Sequence, residues 1–174
     1  EYFTGFNKAL SRTSFARVYI DGFAGGGRVK PKVKKSTAPK GPSPGDLFSN
    51  QSGPSSDENS QPSDEDEEKE AEIFRHGSPL LALKADPPFH EFIFIERDRE
   101  ILNQLQLQVA EVGTLRGRPV QYLCEDANTA LCRISQEDWK ARRATIFLDP
   151  FALQIRWSTL EALARTKGMD MWLL

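Results

Sequence analysis

Apolar residues along this chain switch repeatedly between two spacings. Phe3, Phe6 and Leu10 fall close to helical spacing and predict a helix that ends near Arg12. Val18, Tyr19 and Ile20 predict a short strand running into Asp21. Leu80, Leu81, Leu83 and Ala85 predict a short buried helix, with Ser78 as its cap and Pro79 in its first turn. Phe92 to Ile95 is a near-continuous apolar strand that ends on Glu96, and such a strand is buried on both faces, as in a parallel sheet. Asp98 caps the next helix, Ile101, Leu105, Val109 and Val112 form its stripe, and Gly113 stops it. Val120 to Leu123 is a third strand, followed by a helix through Ala130, Leu131 and Ile134. Thr-Ile-Phe-Leu-Asp-Pro-Phe is a fourth strand ending on Asp149. Ser158 and Glu161 form a capping box for a helix through Leu160, Leu163 and Ala164. Gly168 ends that helix, and Met171 to Leu174 start a fifth strand. Strand and helix alternate throughout. The expected fold is therefore an open, mostly parallel, Rossmann-like α/β sheet with right-handed crossovers and helices on both faces.

The periodic pattern stops between about 28 and 74. Lysines and prolines come first, then serines, glycines and prolines, then the run Asp-Glu-Asp-Glu-Glu-Lys-Glu-Ala-Glu. Almost nothing there can be buried, so the segment is expected to be a disordered, low-complexity insert in a single domain over 1–174. Its basic and acidic blocks can attract each other, serve as a docking tail for a protein partner, or simply be solvated. A loop of that length is tolerated because closure entropy grows slowly with length.

Bulk composition narrows the picture further. A length of 174 residues is enough for one ordinary core. The first residue is Glu1 and the chain closes on an apparent strand, so a fragment of a longer protein, cut after the fifth strand, is expected. Two cysteines cannot build a disulfide framework or a cysteine-only metal site. That suits an intracellular protein, cytoplasmic or nuclear, and no apolar run is long enough to span a membrane. A net charge of −2 gives no general attraction to nucleic acid.

The chemistry concentrates after the strands. Asp21 is followed by Gly22, Phe23, Ala24 and then Gly25, Gly26 and Gly27. Gly22, Gly25 and Gly27 let the backbone turn sharply and let a ligand approach it. A strand running into a glycine turn is a common cofactor edge in α/β folds. The phosphate loop is excluded because no Lys-Ser or Lys-Thr follows the glycines, and the dinucleotide fingerprint lacks its third glycine. What remains is a cofactor with no phosphate. A carboxylate such as Asp21 would repel a pyrophosphate but can pair with the ammonium of S-adenosylmethionine. The structural alternative is a tight turn with a capping aspartate.

Ligands of open sheets bind beyond the carboxyl ends of the strands. Successive strands here end in Asp21, Glu96, Asp126 and Asp149. Glu96 can accept both hydroxyls of a ribose, and Asp126 can accept an adenine amine. Asp149, Pro150 and Phe151 offer an acceptor, a fixed backbone and a flat face for a substrate. Each acid taken alone is equally well a helix cap or a turn former.

With those residues placed, the chain resembles a class I S-adenosylmethionine-dependent methyltransferase, and more closely the three-Cys-motif partner family. The segments that carry this are residues 19–28, 77–83, 92–98 and 145–174. A looser resemblance is to the ribosomal-RNA adenine-N6 methyltransferases, which share the glycine turn, an insertion, a Gly-Ser-Pro element and an Asp-Pro element. The resemblance implies that Asp21, Gly25 and Gly27 contact the methionine part of the cofactor, Glu96 the ribose and Asp126 the adenine. It implies that Asp149, Pro150 and Phe151 form the catalytic element, with a nucleic-acid amine as methyl acceptor and no metal. The family element has a second proline that this sequence lacks, and the family sheet has seven strands. An inactive binding or scaffolding protein of the same fold is the alternative.

Other chemistry-bearing residues have plainer readings. Cys124 has no basic partner in prospect and is read as a buried structural cysteine. His76 and His90 lack further ligands at metal spacing. Trp157 and Trp172 fall in periodic segments and are expected in the core. Arg97, Arg99, Arg116 and Arg118 are read as solvated surface, with no interleaved aromatics to suggest a nucleic-acid groove.

Overall fold

The computed structural model describes residues 2–27, 76–113, 115, 117–150 and 154–174. The insert expected over 28–74, Arg116 and Phe151 lie outside the described residues. Along the chain come α1 (Tyr2–Leu10), β1 (Ala16–Asp21), α2 (Ser78–Leu83), β2 (Glu91–Ile95) and α3 (Arg99–Val112). They are followed by β3 (Val120–Leu123), α4 (Ala127–Ile134), β4 (Arg142–Leu148), α5 (Trp157–Arg165) and β5 (Met169–Leu173).

The strands form one sheet in the order β3-β2-β1-β4-β5, and every pairing is parallel. This is the open Rossmann-like sheet expected. Its order reverses between β1 and β4, which makes the carboxyl ends of those strands the topological switch point.

Strand alternation sorts the core into two layers. Val18, Ile20, Ile93, Ile95 and Ile146 face α4 and α5, where Ala130, Leu131, Ile134 and Leu163 meet them. Tyr19, Phe92 and Phe94 face α2 and α3, where Leu80, Leu83, Leu102, Leu105 and Val109 meet them. The near-continuous apolar run of β2 is explained by this double coverage. The second layer is unusually aromatic. The Tyr19 ring lies 5.4 Å from Phe89 and 6.3 Å from Phe94, centre to centre. Burying a side chain of this size contributes roughly 1.5–3 kcal/mol.

The helix caps show where local rules hold and where they do not. Asp98 caps α3 by accepting from Glu100 N at 2.8 Å and Ile101 N at 3.1 Å, and Gly113 closes it at φ 62°. Pro79 lies in the first turn of α2, but the cap position is Gly77 and Ser78 is the first helical residue. The Ser78 hydroxyl turns inward to Asp21 instead. The expected capping box on α5 is absent: the helix starts at Trp157, Arg156 holds the cap position without a side-chain cap, and Glu161 accepts from Trp157 Nε1. Trp157 and Trp172 are not core. Trp157 is 73% exposed and Trp172 lies on the half-open β5. β1 begins at Ala16 and β5 at Met169, each two residues earlier than the apolar runs suggest.

Candidate functional site

Register sets the level of each strand-end acid. Asp21 pairs with Phe94 on one side and Phe147 on the other. Glu96 and Asp149, each two residues beyond those partners, therefore leave the sheet at the same height and flank the end of β1. Asp126 follows β3 and takes the N-cap of α4, accepting from Thr129 N at 3.1 Å through Oδ1.

Two clefts open at this edge, and both are bordered by Phe23 and Asp149. The first, of about 290 Å³, brings together Glu96, Glu125, Asp126 and Asp149, with Arg97 on its rim. The second, of about 390 Å³, runs along Gly25, Gly26 and Gly27 to His76, Ser78 and Phe147. Three of the four strand-end acids thus share one cleft. Glu96 also ties the two clefts together. Its Oε2 accepts from Gly25 N at 3.2 Å and its Oε1 from Asp98 N at 2.9 Å. Each oxygen keeps further acceptor capacity, as does Oδ2 of Asp126.

Asp21 differs from the other three. It is fully buried and lines neither cleft. Its Oδ2 accepts from the Tyr19 hydroxyl at 2.9 Å and the Ser78 hydroxyl at 2.6 Å, and its Oδ1 from Phe23 N at 3.2 Å. Burial pushes its carboxyl up to about 6, the three hydrogen bonds hold it back, and nearby Asp149 adds a small upward push. Direct contact with a ligand ammonium is closed to it in this arrangement. It fastens the turn after β1 to the start of α2.

The glycines divide the work. Gly22 packs so closely that an added Cβ would stand 2.6 Å from Leu148 Cδ2. Gly27, at φ 80°, would meet Leu105 Cδ1 at 2.9 Å and Gln108 Oε1 at 2.8 Å. Gly25, at φ 58°, has open space where a Cβ would be. Of the three, only Gly25 has open space at its Cα, while its N–H is held by Glu96. Gly27 and Gly77 also meet directly: Gly77 N donates to Gly27 O at 2.7 Å, joining the two ends of the intervening segment.

The remaining chemistry lies elsewhere or is plain. Cys124 is half-buried rather than buried, and its thiol donates to Arg97 O at 3.5 Å. His90 sits at the opposite edge of the sheet, where Nδ1 accepts from Arg17 N at 2.9 Å. Arg118 is not simply solvated: its guanidinium reaches Phe89 O at 3.1 Å and lies over the Phe92 ring. Among the described residues, no cluster of three or more His, Cys, Asp or Glu side chains could hold a metal, and no helix is long and apolar enough to cross a membrane.

Sequence reasoning did not single out Phe23, Arg97, Glu125, His76, Ser78 or Gln154 as walls of these clefts. Phe23 and Glu125 sit inside the motifs already recognised, next to the residues chosen. Gln154 carries no local signal.

No protein-family model matches the chain, and no curated protein matches it. Among solved structures it is similar to a conserved hypothetical protein of Streptococcus pyogenes, with a TM-score of 0.45 and 15% identity over 96% of this chain. It is also similar to yhhF of Escherichia coli, a proposed methyltransferase, with a TM-score of 0.39 and 16% identity over 100% of this chain. The chain spans 69% and 64% of the lengths of those two proteins.

Proposed function

We propose that this chain carries the cofactor edge of an S-adenosylmethionine-dependent methyltransferase of the three-Cys-motif partner kind, acting on a nucleic-acid amine. The observation that carries the reading is the convergence of Glu96, Asp126 and Asp149 on one cleft, with Gly25 open beside it. The donor set suits this cofactor. Carboxylates accept from ribose hydroxyls and from an adenine amine, and they tolerate a cation while repelling phosphate. The cofactor, when bound, supplies an electrophilic methyl group on a sulfonium.

The chain's own residues have separate tasks in this reading. Glu96 accepts from the ribose hydroxyls and holds Gly25 in place. Asp126 accepts from the adenine amine through its free oxygen. Gly22, Gly25 and Gly27 shape the cleft for the methionine part, and Asp21 acts from behind the turn rather than by direct pairing. Asp149 accepts a hydrogen bond from the acceptor amine and aims its nitrogen, with Pro150 and Phe151 beside it. Orientation of this kind lowers the barrier to in-line attack on the methyl group, and the proton displaced from the amine nitrogen would leave to solvent. The looser resemblance to adenine-N6 methyltransferases supports the amine, and the charged segment over 28–74 is the proposed docking point for a protein partner. The proposed place of action is intracellular, cytoplasmic or nuclear.

Calorimetric titration of S-adenosylmethionine into the full chain tests the reading. Saturable binding is expected. No heat from folded protein at millimolar cofactor sinks it.

A second reading has its own support. The sealed carboxylate of Asp21 and the single proline after Asp149 also suit a binding or scaffolding protein of this fold without activity. Deleting 30–72 separates the two. Loss of partner capture, with fold kept and no cofactor affinity before or after, favours the scaffold.

A further inference from the structure

We propose that Asn128 is a positioning residue that joins the two walls of the acidic cleft and sets the distance between them. One wall is the β3–α4 turn with Glu125, Asp126 and Ala127, and the other is formed by Asp149 and Gln154 after β4. Asn128 follows the first wall directly, in the first turn of α4, and is only 6% exposed. Its amide reaches across to the second. Nδ2 donates to Gln154 O at 2.9 Å, while Oδ1 accepts from Arg156 N at 2.8 Å and from the Thr159 hydroxyl at 2.9 Å.

The chemistry fixes the orientation of the amide. Reversing it would set an NH₂ against the Arg156 N–H and a carbonyl against the Gln154 carbonyl. Thr159 is itself 1% exposed, so its hydroxyl depends on this acceptor. The start of α5 has no cap of its own, because Arg156 makes no side-chain cap bond. From a neighbouring helix, Asn128 holds this end another way, accepting from the N–H of the cap residue and from the Thr159 hydroxyl in the first turn. A buried side chain that satisfies two backbone groups and one hydroxyl of a single segment leaves that segment one position. Gln154 is thereby held in the cleft that Asp126 and Asp149 also line.

The cofactor arm of the test rests on the methyltransferase reading, and the exchange arm does not. Hydrogen exchange resolved over 154–159 and S-adenosylmethionine titration are measured on wild type, Asn128→Ala and Thr159→Val, with circular dichroism as the folding control. Asn128→Ala is expected to speed exchange at the Arg156 amide and to weaken S-adenosylmethionine binding, each by about tenfold, since three hydrogen bonds are lost at once. Thr159→Val removes one of the three and is expected to show the same changes at about threefold. Should Asn128→Ala not fold, the Thr159→Val result decides alone. Unchanged exchange at Arg156 in a folded variant overturns the bridge. Faster exchange with unchanged cofactor affinity overturns the positioning role and leaves a local cap. If wild type itself binds no S-adenosylmethionine, the cofactor reading falls, and exchange at 125–127 takes its place. Faster exchange there in Asn128→Ala supports coupling of the two walls, and no change overturns it.

Discussion

The end of β1 and the ends of β2 and β4 carry the same sequence signal, an acid after an apolar strand, and the molecule uses them in opposite ways. At the centre, Asp21 is sealed and accepts from Tyr19, Phe23 and Ser78. On either side, Glu96 and Asp149 stand in the clefts. Depth along the strand makes the difference, since β2 and β4 have strands on both sides just as β1 does. Asp21 is the last residue of β1, still paired with Phe94 and Phe147, and the Tyr19 and Ser78 hydroxyls close over it. Glu96 and Asp149 lie two residues further along, past the last pairing with β1. A buried acid serves the scaffold, and its neighbours are left for the ligand.

The largest effect is expected from breaking the central acid. Asp21→Ala leaves two hydroxyls and the Phe23 N–H without their acceptor and should lower stability by about 3–5 kcal/mol. A denaturant midpoint close to wild type would show that the clasp is dispensable. Asp21→Asn should be far milder, because the Tyr19 and Ser78 hydroxyls can reverse and donate or accept as the amide requires.

The next effect is in pH, and its sign follows from burial. The folded-state carboxyl of Asp21 titrates at about 6 against an ordinary 3.8. Between those values the folded chain holds a proton that the unfolded chain has released. The stabilising contribution is therefore full below about 3.8 and is lost as pH rises through 6. It amounts to roughly 3 kcal/mol over the whole window. Wild type measured against Asp21→Asn should gain stability on acidification from pH 7 to pH 5. A flat difference between the two would show that Asp21 is solvated in the native state.

The flanking acids should respond mainly in binding. Glu96→Ala removes an acceptor from the proposed ribose and should weaken S-adenosylmethionine binding by about 1.5–3 kcal/mol for each charge-assisted bond lost. Unchanged affinity in folded protein would remove Glu96 from the cofactor site.

The smallest effect on binding is expected at Asp149. Asp149→Asn keeps the shape and should leave cofactor affinity within about twofold, while turnover falls, since its interaction tightens only in the transition state. The assay needs an acceptor, found first by tritium transfer from labelled cofactor into RNA, DNA and protein fractions. Wild-type turnover in this variant would return Asp149 to the role of a turn former. An equal loss of affinity and turnover would move it into the cofactor site.

What the chain determined by itself is the alternation of strands and helices, the parallel sheet, the cap at Asp98 and the strand ends after which Glu96 and Asp149 stand. These follow from period-two and period-3.6 patterns and from residues a few positions apart, so they need no knowledge of the rest of the molecule. The tertiary structure alone decided which acids stay open. Asp21 is closed by Ser78, 57 positions away, and no local pattern predicts that partner. Ser78 and Ser158 both looked like caps, yet one was drawn to a buried carboxylate and the other left to solvent on an uncapped helix. Trp157 lies three residues before Leu160 and fits its stripe, but α5 starts there and its first residue projects past the edge of the layer. Gly22 and Gly27 line the clefts, and it is tertiary packing that leaves no room for a Cβ at either, because Leu148 and Leu105 arrive from other elements. Asn128 had no signal at all in the sequence. Its three partners are ordinary groups 26 to 31 positions ahead, and only the packing of α4 against α5 brings them within reach.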